Sequence, residues 1–221
     1  MAPLKTRLKL GVLISGRGSN LQSLIDACAD PAFPAEIALV LSNVPGVQGL
    51  ERAKTANIPT ATINHKDYDS REAFDQALNQ TLRDAGIELV CLAGFMRILS
   101  ASFLSSWSDR VVNIHPSLLP AFKGIHVHQQ VLEAGVRFSG CTVHFVVPEM
   151  DAGPIIVQAC VPVHRDDDAK ALAARVLSEE HRIYPLAVRL IAEGRTHIKG
   201  GRVAVDNDQH PDRSLVNPDL A

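Results

Sequence analysis

An amide and an imidazole stand two residues apart in Asn113-Ile114-His115, directly before Pro116-Ser117-Leu118-Leu119-Pro120. A side-chain amide can donate a hydrogen bond to an oxygen that gains negative charge, and an imidazole can hold or move a proton near neutral pH. Together they suit attack on a carbonyl or formyl carbon. Asp109-Arg110-Val111-Val112 leads into them, so the pair reads as the end of a buried β-branched strand that stops at a proline unable to donate to a ladder. Residues two apart on a strand face the same side, roughly 6.6 Å from each other. A turn-capping asparagine and a hydrogen-bonded core histidine would give the same short pattern, so the rest of the chain has to decide.

A second candidate is Ser15-Gly16-Arg17-Gly18-Ser19-Asn20, set between an apolar strand at 8–14 and the helical spacing of Leu21, Leu24, Ile25 and Cys28. Backbone N–H groups at a helix N-terminus, uncovered by glycines, suit an anion such as a phosphate. Ser19 with Gln22 three residues on also fits a capping box, which would make this an ordinary helix start. Leu21 stands where a third glycine would complete a dinucleotide fingerprint, and no Gly-Lys-Ser/Thr follows. A nucleotide cofactor is therefore not expected, and a single phosphate monoester remains.

Three further stretches carry alternatives. Asp151-Ala152-Gly153-Pro154 has turn composition; if the turn folds back on His115, the carboxylate orients the imidazole and favours its charged form. Phe95-Met96-Arg97-Ile98-Leu99 is apolar where a loop is expected, and fits either core filling or the wall of a pocket for a flat ligand. His126 and His128 have no Cys or carboxylate at ligand spacing, so a local hydrogen-bonding role is expected and no metal site.

The elements that must position these groups alternate. Strands are expected at 8–14, 36–41, 59–63 and 88–92, with helices after Asn20, at 49–56 and at 70–85. That alternation implies a parallel sheet with right-handed crossovers and ligands at the carboxyl ends of its strands. A short helix is expected near 129–134, a hairpin of strands 140–147 and 155–163, and a long amphipathic helix at 168–191 that Pro185 should kink or break. Glu179-Glu180 reads as a solvated face. Residues 196–205 read as a hairpin on Gly200-Gly201, and 206–221 as a loosely ordered tail. The fold class expected is α/β: a Rossmann-like N-terminal half whose parallel strands continue into a mixed sheet with a C-terminal hairpin and long helix. Residues 1–195 form one domain, about 8–100 binding phosphate and about 101–195 carrying the chemistry, with 196–221 as hairpin and tail.

With 221 residues and 46% hydrophobic content the chain can bury a full core. A net charge of -2 gives no general attraction to nucleic acid or to an anionic membrane, so an anionic ligand must be held locally. The longest apolar runs are too short to span a bilayer and the N-terminus lacks a signal segment, which points to the cytoplasm. Cys28, Cys91, Cys141 and Cys160 are widely spaced and read as reduced core residues.

Taken together, Val12-Leu13-Ile14-Ser15-Gly16-x-Gly18-Ser19-Asn20-Leu21, Asp69-Ser70-Arg71-Glu72, Leu92 to Leu99, Asn113 to Pro120, Thr142-Val143-His144-Phe145-Val146, Asp151 to Pro154 and Glu180-His181 resemble, in order and spacing, the phosphoribosylglycinamide formyltransferase family of folate-dependent enzymes. The resemblance covers about residues 8–192. It implies the formyltransferase fold and two small-molecule substrates, glycinamide ribonucleotide and 10-formyltetrahydrofolate as co-substrate, with no metal. Gly18, Ser19 and Asn20 would hold the phosphate and Glu180 the ribose portion. Met96, Arg97, Ile98, Leu99, Asn113, Val147 and Asp151 would line the folate site, with Arg71 meeting its glutamate end. Asn113, His115 and Asp151 would carry the chemistry. A homodimer is compatible with this pattern. Lys123 departs from the proline many members have, and the chain after about residue 195 matches poorly. A formyltetrahydrofolate deformylase would share the Asn-x-His core but is expected to carry an N-terminal regulatory domain, which a strand starting at Leu8 excludes. A methionyl-tRNA formyltransferase would need a C-terminal RNA-binding domain, where this tail is short and acidic. A non-catalytic phosphometabolite-binding module would have no use for Asn113, His115 and Asp151 together.

Overall fold

The computed structural model describes residues 6–209, 212 and 214–218. A seven-stranded sheet runs β3 (Thr60–Thr62), β2 (Ala35–Ser42), β1 (Leu8–Ile14), β4 (Leu89–Leu92), β5 (Val111–His115), β6 (Phe138–Phe145) and β7 (Ile155–Pro162). The first five are parallel; β6 and β7 are antiparallel to their neighbours, which gives the mixed sheet the sequence implies. Strand order reverses between β1 and β4, and a reversal of this kind opens a crevice at the carboxyl ends of the strands.

The strands are apolar on both faces because helices cover both. Leu10, Val12 and Ile14 of β1, with Leu89 and Cys91 of β4, pack under α1 (Ser19–Cys28), α2 (Gln48–Thr55), α5 (Val127–Ala134) and α6 (Ala169–Ala192). Leu13, Val90 and Leu92 face the other way, under α3 (Arg71–Asp84) and α4 (Ala101–Ser106). Helix α3 is capped by Ser70, whose hydroxyl accepts from Ala73 N–H, and it buries Phe74, Leu78 and Leu82 at four-residue spacing. Helix α4 has no counterpart among the sequence expectations: six residues are too few for periodicity to register.

One expectation about the C-terminal third, a break at Pro185, is overturned. Helix α6, capped by Asp168, runs through Pro185 without a break. The proline removes one backbone hydrogen bond, and burial of Ile183, Tyr184, Ala187 and Val188 around it outweighs that loss. In the tail, Asn217 Nδ2 donates to Arg137 O at 2.6 Å and Val163 O at 3.1 Å, across the ends of β6 and β7. For residues 210, 211, 213 and 219–221 the expectation of a loosely ordered tail lies outside the described residues. The hairpin on Gly200-Gly201 is present as β8 (Thr196–Lys199) and β9 (Arg202–Val205). Of the four free cysteines only Cys91 and Cys141 are buried; Cys28 is partly exposed, and Cys160 lies exposed on the edge strand β7 instead of in the core.

Tyr184 is fully buried, and its hydroxyl donates to Leu92 O at 3.0 Å, tying α6 to the end of β4. Tyr184→Phe leaves that tie unmade at nearly constant volume. It is expected to lower stability by about 1 kcal/mol in urea unfolding; an unchanged midpoint would show that the hydroxyl carries no net weight.

Candidate active site

The crevice is sealed at its floor by Ser15. Its N–H donates to Gly94 O at 3.1 Å, and its Oγ accepts from Met96 N–H at 2.8 Å, so the loops after β1 and β4 lie side by side. Gly18 caps α1 in the left-handed region (φ 70°), and a Cβ there would come 2.8 Å from Gly49 Cα. Ser19 is thus the first helical residue and not the cap, and the Ser19/Gln22 capping box does not form. Gln22 instead donates to Asp26 and accepts from Arg52. The first-turn N–H groups of α1 have no intrahelical partner.

Asn20 in that first turn reaches across to α6, its Nδ2 donating to Glu180 Oε2 at 2.7 Å. Glu180 is 6% exposed, so it is not part of a solvated face; Glu179 is, and pairs with Arg182. Burial pushes the Glu180 carboxyl above the usual carboxylate range, against the opposing pull of the Asn20 hydrogen bond and the nearby His115. Asn20 Oδ1 is buried with no hydrogen-bond partner among the described residues.

The second half of the site is built from strand register. Asn113 stands opposite His144 and His115 opposite Thr142 on the antiparallel pair β5–β6. His144 Nδ1 lies 2.9 Å from Phe145 O, which can only accept, so Nδ1 carries the proton and Nε2 accepts from Asn113 Nδ2 at 3.3 Å. Burial lowers the pKa of His144 and keeps the ring neutral. One N–H of Asn113 is thereby spent on orientation and the other can donate to a reacting oxygen. By the same logic His115 Nε2 donates to Phe122 O at 2.9 Å, and its Nδ1 faces Asp151 Oδ2 at 3.6 Å. Asp151 is fixed by a left-handed backbone (φ 50°) and by Gly124 N–H, 2.9 Å from Oδ2. The turn closes only on glycine at 153, where a Cβ would lie 1.8 Å from Phe145 O. Thr142 Oγ1 donates to Ser117 O at 2.6 Å and accepts from Leu119 N–H and Gln158 Nε2, holding the segment after His115.

Sequence reasoning quoted Thr142 and His144 within a resemblance motif but gave neither a role at the site. The polar, apolar, polar alternation of Thr142-Val143-His144 in a strand was the available signal, since it sets both on one face. In the loop 95–99, Phe95 and Leu99 are buried, as core filling requires, while Met96 and Ile98 are 68% and 61% exposed. Arg97 is exposed. Val147, half-buried, lines a hollow of about 200 Å³ with Pro148, Ala101 and Leu104 of α4. Arg71 opens α3 and is exposed, with no hydrogen bond or ion pair to the other site residues among the described residues. His126 caps α5 through its backbone, and His128 is half-buried with Nδ1 unpartnered among the described residues. No group of three His, Cys, Asp or Glu stands at metal-binding distance among the described residues.

A carboxyl whose folded pKa lies above its unfolded value binds more protons in the folded state across that window, so stability is lost as pH rises through it. Glu180→Gln can still accept from Asn20 and removes this loss. As pH rises above the ordinary glutamate range the melting temperature of the wild type is expected to fall relative to the glutamine variant; parallel curves would show that Glu180 does not carry the shift.

The profile of the formyl transferase family matches residues 8–188. The trifunctional purine biosynthetic protein adenosine-3 of Gallus gallus is 52% identical over 192 residues, 87% of this chain but 19% of that protein. The chain thus spans about a fifth of the length of the curated relatives of that type. Phosphoribosylglycinamide formyltransferase of Escherichia coli (strain K12) is 45% identical over 204 residues, covering 92% of this chain and 96% of the relative. The crystal structure of glycinamide ribonucleotide transformylase 1 from Symbiobacterium toebii superposes with a TM-score of 0.88 at 49% identity, over 90% of this chain and 94% of that one.

Proposed function

Because the chain belongs to the formyl transferase family, we propose that it transfers the formyl group of 10-formyltetrahydrofolate to the amine of glycinamide ribonucleotide, giving formylglycinamide ribonucleotide and tetrahydrofolate in purine synthesis. The observation that carries this reading is the assembly of Asn113, His115 and Asp151 beside a glycine loop joined to the same crevice through Asn20 and Glu180. Similarity to bacterial proteins of that activity over nearly their whole length supports it. In this reading the half before about residue 100 holds the phosphate, on Gly18, Ser19 and Asn20. The half from about 101 to 195 carries the chemistry. Glu180 and the unpartnered Asn20 Oδ1 accept ribose hydroxyls. The exposed apolar Met96 and Ile98, with Arg97, Leu99 and the hollow at Val147, receive the flat pterin, and Arg71 meets the glutamate carboxylates. The partners in this reading are the two small-molecule substrates, a homodimer is compatible with it, and the location is the cytoplasm.

The reaction is direct transfer in a ternary complex. The neutral amine attacks the formyl carbon, and the free N–H of Asn113, with His115 beside it, stabilises the tetrahedral oxyanion. One such donor lowers the barrier by roughly 2.7 to 4 kcal/mol. The amine proton passes to N10 of the leaving folate through His115 Nδ1 or a water held by Asp151; acid–base help of this kind is worth about 100- to 10,000-fold. Anchoring the phosphate makes attack effectively intramolecular.

Asn113→Ala and His115→Ala are each expected to cut kcat about 100-fold or more while both substrates still bind, because each removes a contact strongest in the transition state. Near wild-type turnover in either variant would dismiss the assignment. The acceptor itself is tested by mass spectrometry: 10-formyltetrahydrofolate should be consumed only when glycinamide ribonucleotide is present, with one formylated product per tetrahydrofolate. Formate released at the same rate with or without acceptor would make the protein a deformylase instead.

A further inference from the structure

Two consecutive carbonyls of the glycine loop are tied to one face of α2. Gly16 O accepts from Gly49 N–H at 3.1 Å, and Arg17 O accepts from Arg52 Nε at 2.9 Å. Positions 49 and 52 are one helical turn apart, so both donors lie on the same side of α2. The two backbones are in direct contact there: a Cβ on Gly18 would press on Gly49 Cα, and one on Gly49 would meet Ile14 Cδ1 at 2.4 Å. The guanidinium is itself braced, with Nη1 donating to Gln22 Oε1 at 3.1 Å, and Gln22 Nε2 donating on to Asp26 at 2.8 Å.

In a trans peptide the C=O and the following N–H point in opposite directions within one plane. Turning Gly16 O and Arg17 O toward α2 therefore turns the N–H groups of Arg17 and Gly18 away from it, together and toward one side. Gly49 N–H fixes the first of these peptides. The second is adjacent to Gly18, whose left-handed backbone leaves it free to rotate unless something holds its oxygen. We infer that Arg52 is a positioning residue for the acceptor's phosphate: through Arg17 O it locks the peptide whose N–H, at Gly18, is offered to the anion. Its charge behind the loop also favours a dianion in front. Arg52 does not touch the ligand in this arrangement; it acts through the loop. The inference rests on the phosphate-binding reading of the glycine loop.

Arg52→Met removes the donor and the charge, and Arg52→Lys keeps the charge but not the planar fork that spans Arg17 O and Gln22 Oε1. Loss of a hydrogen bond from a charged donor predicts a KM for glycinamide ribonucleotide about tenfold higher in the methionine variant, with a smaller rise in the lysine variant. The KM for 10-formyltetrahydrofolate and kcat at saturation should stay within about twofold. Inhibition by inorganic phosphate, competitive with the ribonucleotide, should weaken in parallel, and thermal melting should confirm that both variants are folded. Gly18→Val, assayed alongside, separates the two claims. If it raises the ribonucleotide KM and relieves phosphate inhibition while Arg52→Met does neither, the phosphate loop stands and the role of Arg52 falls. If the folded Gly18→Val protein binds phosphate as the wild type does, the phosphate reading falls and the role of Arg52 with it. An Arg52→Met protein that loses both substrates equally, or loses kcat at saturation, would show a general packing role and overturn the inference.

Discussion

Everything at the site depends on parallel strands delivering their carboxyl ends to one edge. Right-handed crossovers carry the chain back to the same starting level each time, so β1, β4 and β5 all finish at the crevice edge. Order reverses between β1 and β4, which leaves no crossover filling the space between the loops that follow them. Ser15 joins those two loops directly. The glycine loop, the exposed apolar pair Met96 and Ile98 and the Asn113/His115 strand end are brought to one crevice by this topology, though they lie up to about a hundred residues apart in the chain.

The change to antiparallel pairing at β5 has its own consequence. An antiparallel neighbour sets side chains directly opposite one another, and this puts His144 against Asn113 and Thr142 against His115. The hairpin turn that follows then returns Asp151 to His115. Three backbone carbonyls and one N–H do the orienting: Phe145 O fixes the His144 tautomer, Phe122 O that of His115, Ser117 O the Thr142 hydroxyl, and Gly124 N–H the Asp151 carboxylate. Main-chain groups are held by the fold itself, so the side chains bonded to them are held in one arrangement.

Glu180 shows the opposite economy. A carboxyl buried against Asn20 at the raised end of its range costs stability near neutral pH, and an apolar residue would pack there more cheaply. The carboxyl sits at the junction of α1 and α6, within the field of His115.

The sequence by itself determined the alternation of strands and helices, the parallel sheet, the glycine loop before α1 and the Asn113/His115 pair, because each is a local pattern: strand period, helix period, turn composition, a proline stop. Order and spacing of the motifs were enough to bring the family into view. Several matters were settled only by tertiary structure. Pro185 sits inside a continuous helix because neighbouring buried side chains outweigh one lost bond, which no local propensity contains. Ser19 yields the cap to Gly18 because Gly49 packs against that backbone from another helix. Glu180 is buried and Glu179 is not, a distinction set by which face α6 turns toward Asn20, 160 positions away. His144 becomes the partner of Asn113 through antiparallel register, and register is a relation between two strands that neither strand's residues specify alone.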